Sequence, residues 1–224
     1  AAIQTNNPYA SIAYHDLCRL HLHKSNNSEI KRYLLEGASR HHVKCCYQMG
    51  VFYSTGAHGF PKDFQQARDW LELAADEGNA EAMYELGRLF YLGDTNNLYT
   101  DYDEAMTWFQ RASDAGHTGA TYHIGYFYEF GFAGKNDYSQ AKEYYLAAAN
   151  KGDLYSQYHY GHLSLVETNQ MYPDYQLAKE YLEKAAQQGY ARAYCVLAEM
   201  EYLGLGQTPR LSKARSLFNE AKIR

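Results

Sequence analysis

The chain has 224 residues, of which 46% are apolar and 21% are charged, and its 21 basic and 26 acidic residues give a net charge of −5. The Lys and Arg residues are scattered, which argues against a nucleic-acid partner, because binding to phosphates requires a clustered basic surface. No apolar run is long enough to cross a bilayer, so membrane insertion is not expected.

The first predicted helix pair covers residues 6–41. Pro8 suits the first turn of a helix, where its missing N–H would be unpaired in any case. Ala13 and Leu20 follow at helical spacing, and a polar segment then separates this helix from a second one that contains Ile30.

The same two-helix pattern then recurs to the end of the chain. A small residue in the middle of each first helix recurs every 36 to 38 residues: Ala13, Gly50, Gly87, Gly125, Gly161 and Ala198. Glycine inside a helix costs about 0.5–1 kcal/mol relative to alanine, so this register predicts close backbone approach by a neighbouring helix. The predicted repeats are 6–41, 43–78, 80–116, 118–152, 154–189 and 191–224.

The second helices share a start, a bulky position and an end. An Asp four residues before a small apolar residue predicts a helix N-cap at Asp63, Asp101, Asp137 and Asp174. A large residue follows at matched places: Trp70, Trp108, Tyr144, Tyr181 and Leu217. A glycine suited to a left-handed helix end comes last: Gly78, Gly116, Gly152 and Gly189. In the last repeat Arg210 replaces the capping Asp, as expected of a terminal repeat that differs from the others.

Helix pairs of this kind cannot bury their apolar faces alone and must stack on copies of themselves. The pattern therefore predicts a single all-α domain built as a solenoid of about six helix-turn-helix repeats. It includes Leu-Gly pairs such as Leu86-Gly87 and closing Ala-Ala pairs such as Ala148-Ala149, and it resembles the Sel1-like repeats, relatives of the tetratricopeptide repeats.

The resemblance implies a right-handed superhelix whose first helices line a concave side. It also implies a non-enzymatic scaffold or adaptor that binds another protein or a peptide, without a cofactor. The alternative is an inhibitor or immunity-type regulator of an enzyme at the bacterial envelope. An exported, periplasmic or secreted bacterial protein is favoured among the possible locations.

A concave binding face is predicted by transferring the register of the third repeat to its neighbours. The residues expected to contact the partner are Tyr84, Arg88, Tyr91, Tyr122, Tyr126, Glu129, Phe130, Tyr158 and His162. Aromatic and Arg side chains are typical of binding hot spots. The recurring Tyr of this register, Tyr47, Tyr84, Tyr122 and Tyr158, is also explained by the repeat itself, which uses an aromatic residue there.

Metal binding and catalysis find little support in the sequence. His123, His159 and His162 could approach a metal only if stacking brought them together, and no site is predicted. Cys45 occupies a slot filled by Ala in other repeats, which predicts a small buried side chain, while Cys46 is expected to point elsewhere. No catalytic residues are predicted, because no base stands near a nucleophile in the pattern.

Overall fold

The computed structural model describes residues 27–93, 99–132, 134–166 and 172–223. These ranges contain eleven α-helices and one short 3-10 turn, Ala57–Gly59. The helices are α1 (Asn27–Ala38), α2 (Val43–Thr55), α3 (Phe64–Asp76), α4 (Ala80–Leu92), α5 (Tyr102–Asp114), α6 (Thr118–Phe130), α7 (Tyr138–Asn150), α8 (Leu154–Leu163), α9 (Tyr175–Gln187), α10 (Ala191–Leu203) and α11 (Leu211–Ile223). The first helix predicted, with Pro8, Ala13 and Leu20, lies outside the described residues.

The chain forms two compact units, Ala1–Ala120 and Thr121–Arg224. In the first unit α1 packs on α2, α2 on α3, α3 on α4 and α4 on α5. In the second unit α7 packs on α8, α8 on α9, α9 on α10 and α10 on α11. This consecutive packing confirms the predicted all-α solenoid of helix-turn-helix repeats.

The predicted helix caps are confirmed in all four cases. Each Asp side chain accepts a hydrogen bond from the backbone N–H three residues on: Asp63 from Gln66, Asp101 from Glu104, Asp137 from Gln140 and Asp174 from Leu177. The predicted terminal glycines all have positive φ, from 82° to 93°. A left-handed residue at these ends turns the chain into the next repeat at low cost only when it is glycine.

The glycines inside the first helices face the second helix of the same repeat. A Cβ on Gly87 would lie 2.5 Å from Cδ1 of Phe109, and one on Gly50 would lie 2.5 Å from Cγ of Leu71. The sequence predicted close backbone approach by a neighbouring helix. Backbone atoms of the facing helix do lie close at Gly50, where a Cβ would be 3.1 Å from the carbonyl oxygen of Ala67, whereas at Gly87 the three nearest atoms belong to the ring of Phe109.

The deepest large side chain lies one residue beyond the bulky position that was predicted. Trp70, Tyr144 and Leu217 are only half-buried, whereas the fully buried residues are Leu71, Phe109, Tyr145 and Leu182. These four point at the small residues Gly50, Gly87, Gly125 and Gly161. In these four repeats the helix interior therefore pairs one glycine with one large residue. At the preceding, predicted position Trp108 and Tyr181 are also buried, at 6% and 8% exposed.

No helix within the described ranges combines the length and apolar character needed to span a membrane.

Candidate binding surface

Seven aromatic rings in the second unit make a continuous series of contacts, which we call the aromatic strip. In order of contact they are Phe130, Tyr126, Tyr122, Tyr155, Tyr190, Tyr158 and His162. Neighbouring ring centroids lie between 4.5 and 6.1 Å apart. Phe130 and Tyr155 are exposed, at 53% and 49%, and the other five are partly buried. The strip is therefore held by ring contacts within the protein and still presents aromatic surface to solvent.

Helical spacing explains how the strip forms. Tyr122, Tyr126 and Phe130 are four residues apart on α6, so they lie on one face, while Ile124 and Phe127 turn into the core. Tyr158 and His162 are likewise four apart on α8, and Tyr155 lies in its first turn. Tyr190 immediately precedes α10, at its N-cap position, and its side chain makes no cap hydrogen bond.

A carboxylate lies at the edge of the strip and bonds inward. Glu129 accepts a hydrogen bond from the hydroxyl of Tyr145 at 2.6 Å, and Nδ1 of His159 lies 2.9 Å from the same Oε2 atom. The ring of His159 stacks on that of Tyr145 with a centroid distance of 5.1 Å. Burial, and then the charge of Glu129, raise the pKa of Tyr145, so its phenol stays protonated and remains a donor. These bonds fix the position of the Glu129 carboxylate.

The first unit carries the other three residues that were predicted to bind. Tyr84 stacks on His117 at 4.2 Å, and Arg88 pairs with Glu85 at 3.1 Å while its side chain remains 42% exposed. The ring centroids of Tyr91 and Tyr102 lie 6.1 Å apart. Burial lowers the pKa of His117, and nearby acidic residues only partly oppose this effect.

A cavity of about 440 Å³ lies beside Arg88 in the same unit. Its lining includes Leu92, Asp63 and Lys62, together with the stacked rings of Phe64 and Tyr99. The cavity mixes charged and apolar groups.

The structure brings five of the predicted residues into the strip: Tyr122, Tyr126, Phe130, Tyr158 and His162. Glu129 is adjacent, with only 9% of its side chain exposed. Sequence reasoning did not include Tyr155 and Tyr190, because it transferred the register of helix centres and both of these residues lie at helix starts. An aromatic residue at the start of the first helix in each of two successive repeats is the signal that could have found them.

The described histidines and thiols were considered for metal binding and for nucleophilic chemistry in the sequence, and the structure places them as follows. Within the described residues no three His, Cys, Asp or Glu side chains are grouped closely enough to hold a metal ion. Cys45 is buried as expected, and Cys46, which was expected to point elsewhere, is also only 2% exposed. Burial raises the pKa of the Cys46 thiol, which opposes formation of the nucleophilic thiolate.

Five consecutive stretches of the chain match one known repeat family. Sel1 repeats match residues 43–79, 80–117, 118–153, 154–190 and 191–222. The chain belongs to the Sel1 repeat family. Sel1 repeats mediate protein–protein interactions, and proteins of this family are generally non-catalytic scaffolds. The matched ranges begin after α1.

Solved structures share the Sel1 fold over nearly the whole chain. A protective antigen of uropathogenic Escherichia coli with an SLR fold is 23% identical, with a TM-score of 0.85, over 95% of this chain and 46% of its own. The present chain thus spans about half the length of that relative. A Sel1 repeat protein from Oxalobacter formigenes is 26% identical, with a TM-score of 0.77, over 98% of this chain and 88% of its own.

An immunity protein from Pseudomonas aeruginosa is a more distant match. It is 19% identical, with a TM-score of 0.52, over 96% of this chain and 83% of its own. At this identity the similarity concerns the fold. No curated protein matches the chain.

Proposed function

We propose that this Sel1 protein is a non-enzymatic scaffold that holds a peptide or a protein surface in a concave, aromatic-lined groove, with the aromatic strip as its main contact area. The observation that carries the proposal is the unbroken series of seven rings, of which Phe130 and Tyr155 are about half exposed. Tyrosine offers large contact area at little cost in side-chain entropy, which is why it is enriched at binding surfaces.

The proposal includes Tyr84, Arg88 and Tyr91 of the first unit as additional contacts. Arg88 keeps much of its guanidinium accessible beside Glu85, and Arg is a frequent hot-spot residue. Each unit is proposed to contribute its own contacts, which makes their effects separable by mutation.

The test uses a partner identified by capture on the purified protein and then purified itself. Tyr126→Ala combined with Arg88→Ala should abolish binding, and each single change should weaken it, while helical circular dichroism and Tm stay nearly unchanged. Tyr202→Ala is the matched control, because Tyr202 is 59% exposed on α10 and outside the strip. Undiminished binding by the double variant would overturn the proposed contact area, and loss of the fold would assign these side chains to the core.

The alternative function is inhibition of an enzyme, as in an immunity-type regulator of the bacterial envelope. The fold shared with immunity proteins of Pseudomonas aeruginosa supports this reading. An activity assay on the captured partner separates the two functions, since an inhibitor removes an activity and an adaptor leaves it intact while joining two proteins. The same proposal includes an exported location, which fractionation of cells that express the full-length protein would test.

We also propose that residues 6–41 form one further repeat of the same domain. In its predicted second helix, α1, Ile30 and Leu34 are fully buried. Deleting residues 1–26 should expose this face and lower Tm, whereas an unchanged Tm would argue against the added repeat.

A further inference from the structure

The rings around Tyr122 form the densest part of the aromatic strip. Its centroid lies 6.1 Å from that of Tyr126, 5.8 Å from that of Tyr155 and 5.7 Å from that of His159. The faces of tyrosine rings carry negative electrostatic potential, which attracts cations within about 6 Å of the ring centroid. This group of rings therefore has the composition of a cation-binding surface.

Two carboxylates act on these rings. Burial raises the pKa of Tyr122, and after the neighbouring phenols of Tyr126 and Tyr190 the carboxylates of Asp153 and Glu129 raise it further. Glu129 is largely buried, so it contributes through its field and not by direct contact. Farther along the strip, burial raises the pKa of Tyr158, and the charge of Arg192 partly opposes this effect.

Other aromatic rings of this protein are covered by its own cations. Arg111 lies 4.2 Å from the ring centroid of Trp108, and Lys184 lies 4.0 Å from that of Tyr181. Among the cation–π pairs of the described ranges, none involves a ring of the aromatic strip. The seven rings of the strip therefore have no lysine or arginine of the described part of the chain over their faces.

The strip also has hydrogen-bonding groups that the fold does not use. The hydroxyls of Tyr122, Tyr126, Tyr155 and Tyr158 make no hydrogen bond to any other described residue. Such hydroxyls can accept from a guanidinium or an ammonium group and can also bond to a peptide backbone.

We propose that the aromatic strip binds a basic segment of the partner protein, with an arginine or lysine head group seated among Tyr122, Tyr126 and Tyr155. Asp153 and Glu129 supply the negative field, and the ring faces supply the contact area. This inference rests on the proposed scaffold function and specifies the chemistry of its partner. It also explains why the rings of the strip carry no cation from the described part of the chain, although other rings of this protein do.

The experiment uses a defined peptide as the probe, acetyl-Arg-Gly-Arg-Gly-Arg-Gly-Arg-amide, titrated into the full chain by calorimetry and NMR. The matched control peptide replaces every arginine with citrulline, which keeps the shape and removes the charge. We expect the arginine peptide to bind at least about tenfold more tightly than the citrulline peptide, and to bind less tightly as salt rises. Resonances of Tyr122, Tyr126 and Tyr155 should shift together.

Two conservative variants separate charge from structure. Asp153→Asn keeps a side chain that caps α8, and Glu129→Gln keeps an acceptor for Tyr145, so together they remove the two charges with little change to the fold. We expect the double variant to lose most of the preference for arginine over citrulline. Tyr122→Ala should lose binding, and Tyr202→Ala should not.

The outcomes distinguish this inference from the proposed function. Equal binding of the two peptides, or no binding of either at millimolar concentration, overturns the basic-segment inference. The scaffold function still holds in that case if strip variants lose the captured partner. If they keep the partner, the proposed contact area fails regardless of the peptide result.

Discussion

Arg210 donates two hydrogen bonds to Glu201, from Nε to Oε2 at 2.7 Å and from NH2 to Oε1 at 2.6 Å. Glu201 belongs to α10 and is only 2% exposed, whereas Arg210 immediately precedes α11. Lys213 adds an ion pair at 2.9 Å, and Gln207 donates a hydrogen bond at 2.6 Å. A buried carboxylate thus joins the two helices of the last repeat, where the other repeats use an Asp cap.

Stability at low pH should depend on Glu201. Hydrogen bonds from Arg210 and Lys213 outweigh the effect of burial and lower the pKa of Glu201 to about 2. A lowered carboxyl pKa contributes stability that is complete above the unfolded-state value and is lost as pH falls through the folded-state value. We expect this contribution, at most about 3 kcal/mol, to disappear between pH 4.5 and pH 2.

Urea unfolding of Glu201→Gln at pH 7 and at pH 3 measures this contribution. The variant should be less stable at pH 7 by about 2–3 kcal/mol and should lose less stability on acidification than wild type. Glu183→Gln, an exposed position on α9, is the control and should change little. Equal pH dependence in wild type and Glu201→Gln would contradict the assignment.

Replacing Gly87 with alanine should destabilise the protein, although alanine is the better helix former. A Cβ there would lie 2.5 Å from the ring of Phe109, so the helices must separate or the ring must rotate. Overpacking of this kind typically costs about 1–3 kcal/mol, more than the roughly 0.5–1 kcal/mol gained from helix propensity. Denaturant unfolding of Gly87→Ala measures the net effect, and Gly87→Val should be worse.

A double-mutant cycle with Phe109→Ala tests the cause. The penalty of Gly87→Ala should shrink in the Phe109→Ala background, because removal of the ring leaves room for the methyl group. A penalty that is the same in both backgrounds would show that the ring is not what limits the space at Gly87.

The repeat pattern made most of the fold predictable. Caps such as Asp101 and ends such as Gly116 follow from local backbone chemistry, so each could be read from a few residues. The sequence did not show which of two adjacent residues is the most deeply buried one. Phe109 and Trp108 are adjacent, large and aromatic, and only the rotation of the helix against Gly87 decides which ring faces inward.

Tyr145→Phe should destabilise the second unit by about 1–3 kcal/mol, because the change removes the donor to the largely buried carboxylate of Glu129. Tyr155→Phe is the matched control, since its exposed hydroxyl has no hydrogen-bond partner within the described chain. It should change stability by less than about 0.5 kcal/mol. Thermal unfolding of both variants checks this difference, and an equal loss in the two would argue against an important bond to Glu129.

The candidate surface was less predictable than the fold. Helical register placed Tyr122, Tyr126 and Phe130 on one face without knowledge of any contact. The inward hydrogen bonds of Glu129 could not be foreseen, because they depend on α7 and α8 both reaching one carboxylate. Long-range contacts of this kind are set by how the repeats pack, and spacing along one helix does not contain that information.

Arg210→Asp should destabilise the protein even though it restores the residue that caps four other second helices. A cap contributes about 1 kcal/mol, whereas the change removes both hydrogen bonds from Arg210 and adds a negative charge beside the buried Glu201, which should outweigh the gain from the cap. In a Glu201→Gln background the repulsion is absent and the same change should become neutral or stabilising. Urea unfolding of the two single variants and the double variant at pH 7 gives both values. A loss of the same size in both backgrounds would mean that Arg210 acts independently of Glu201.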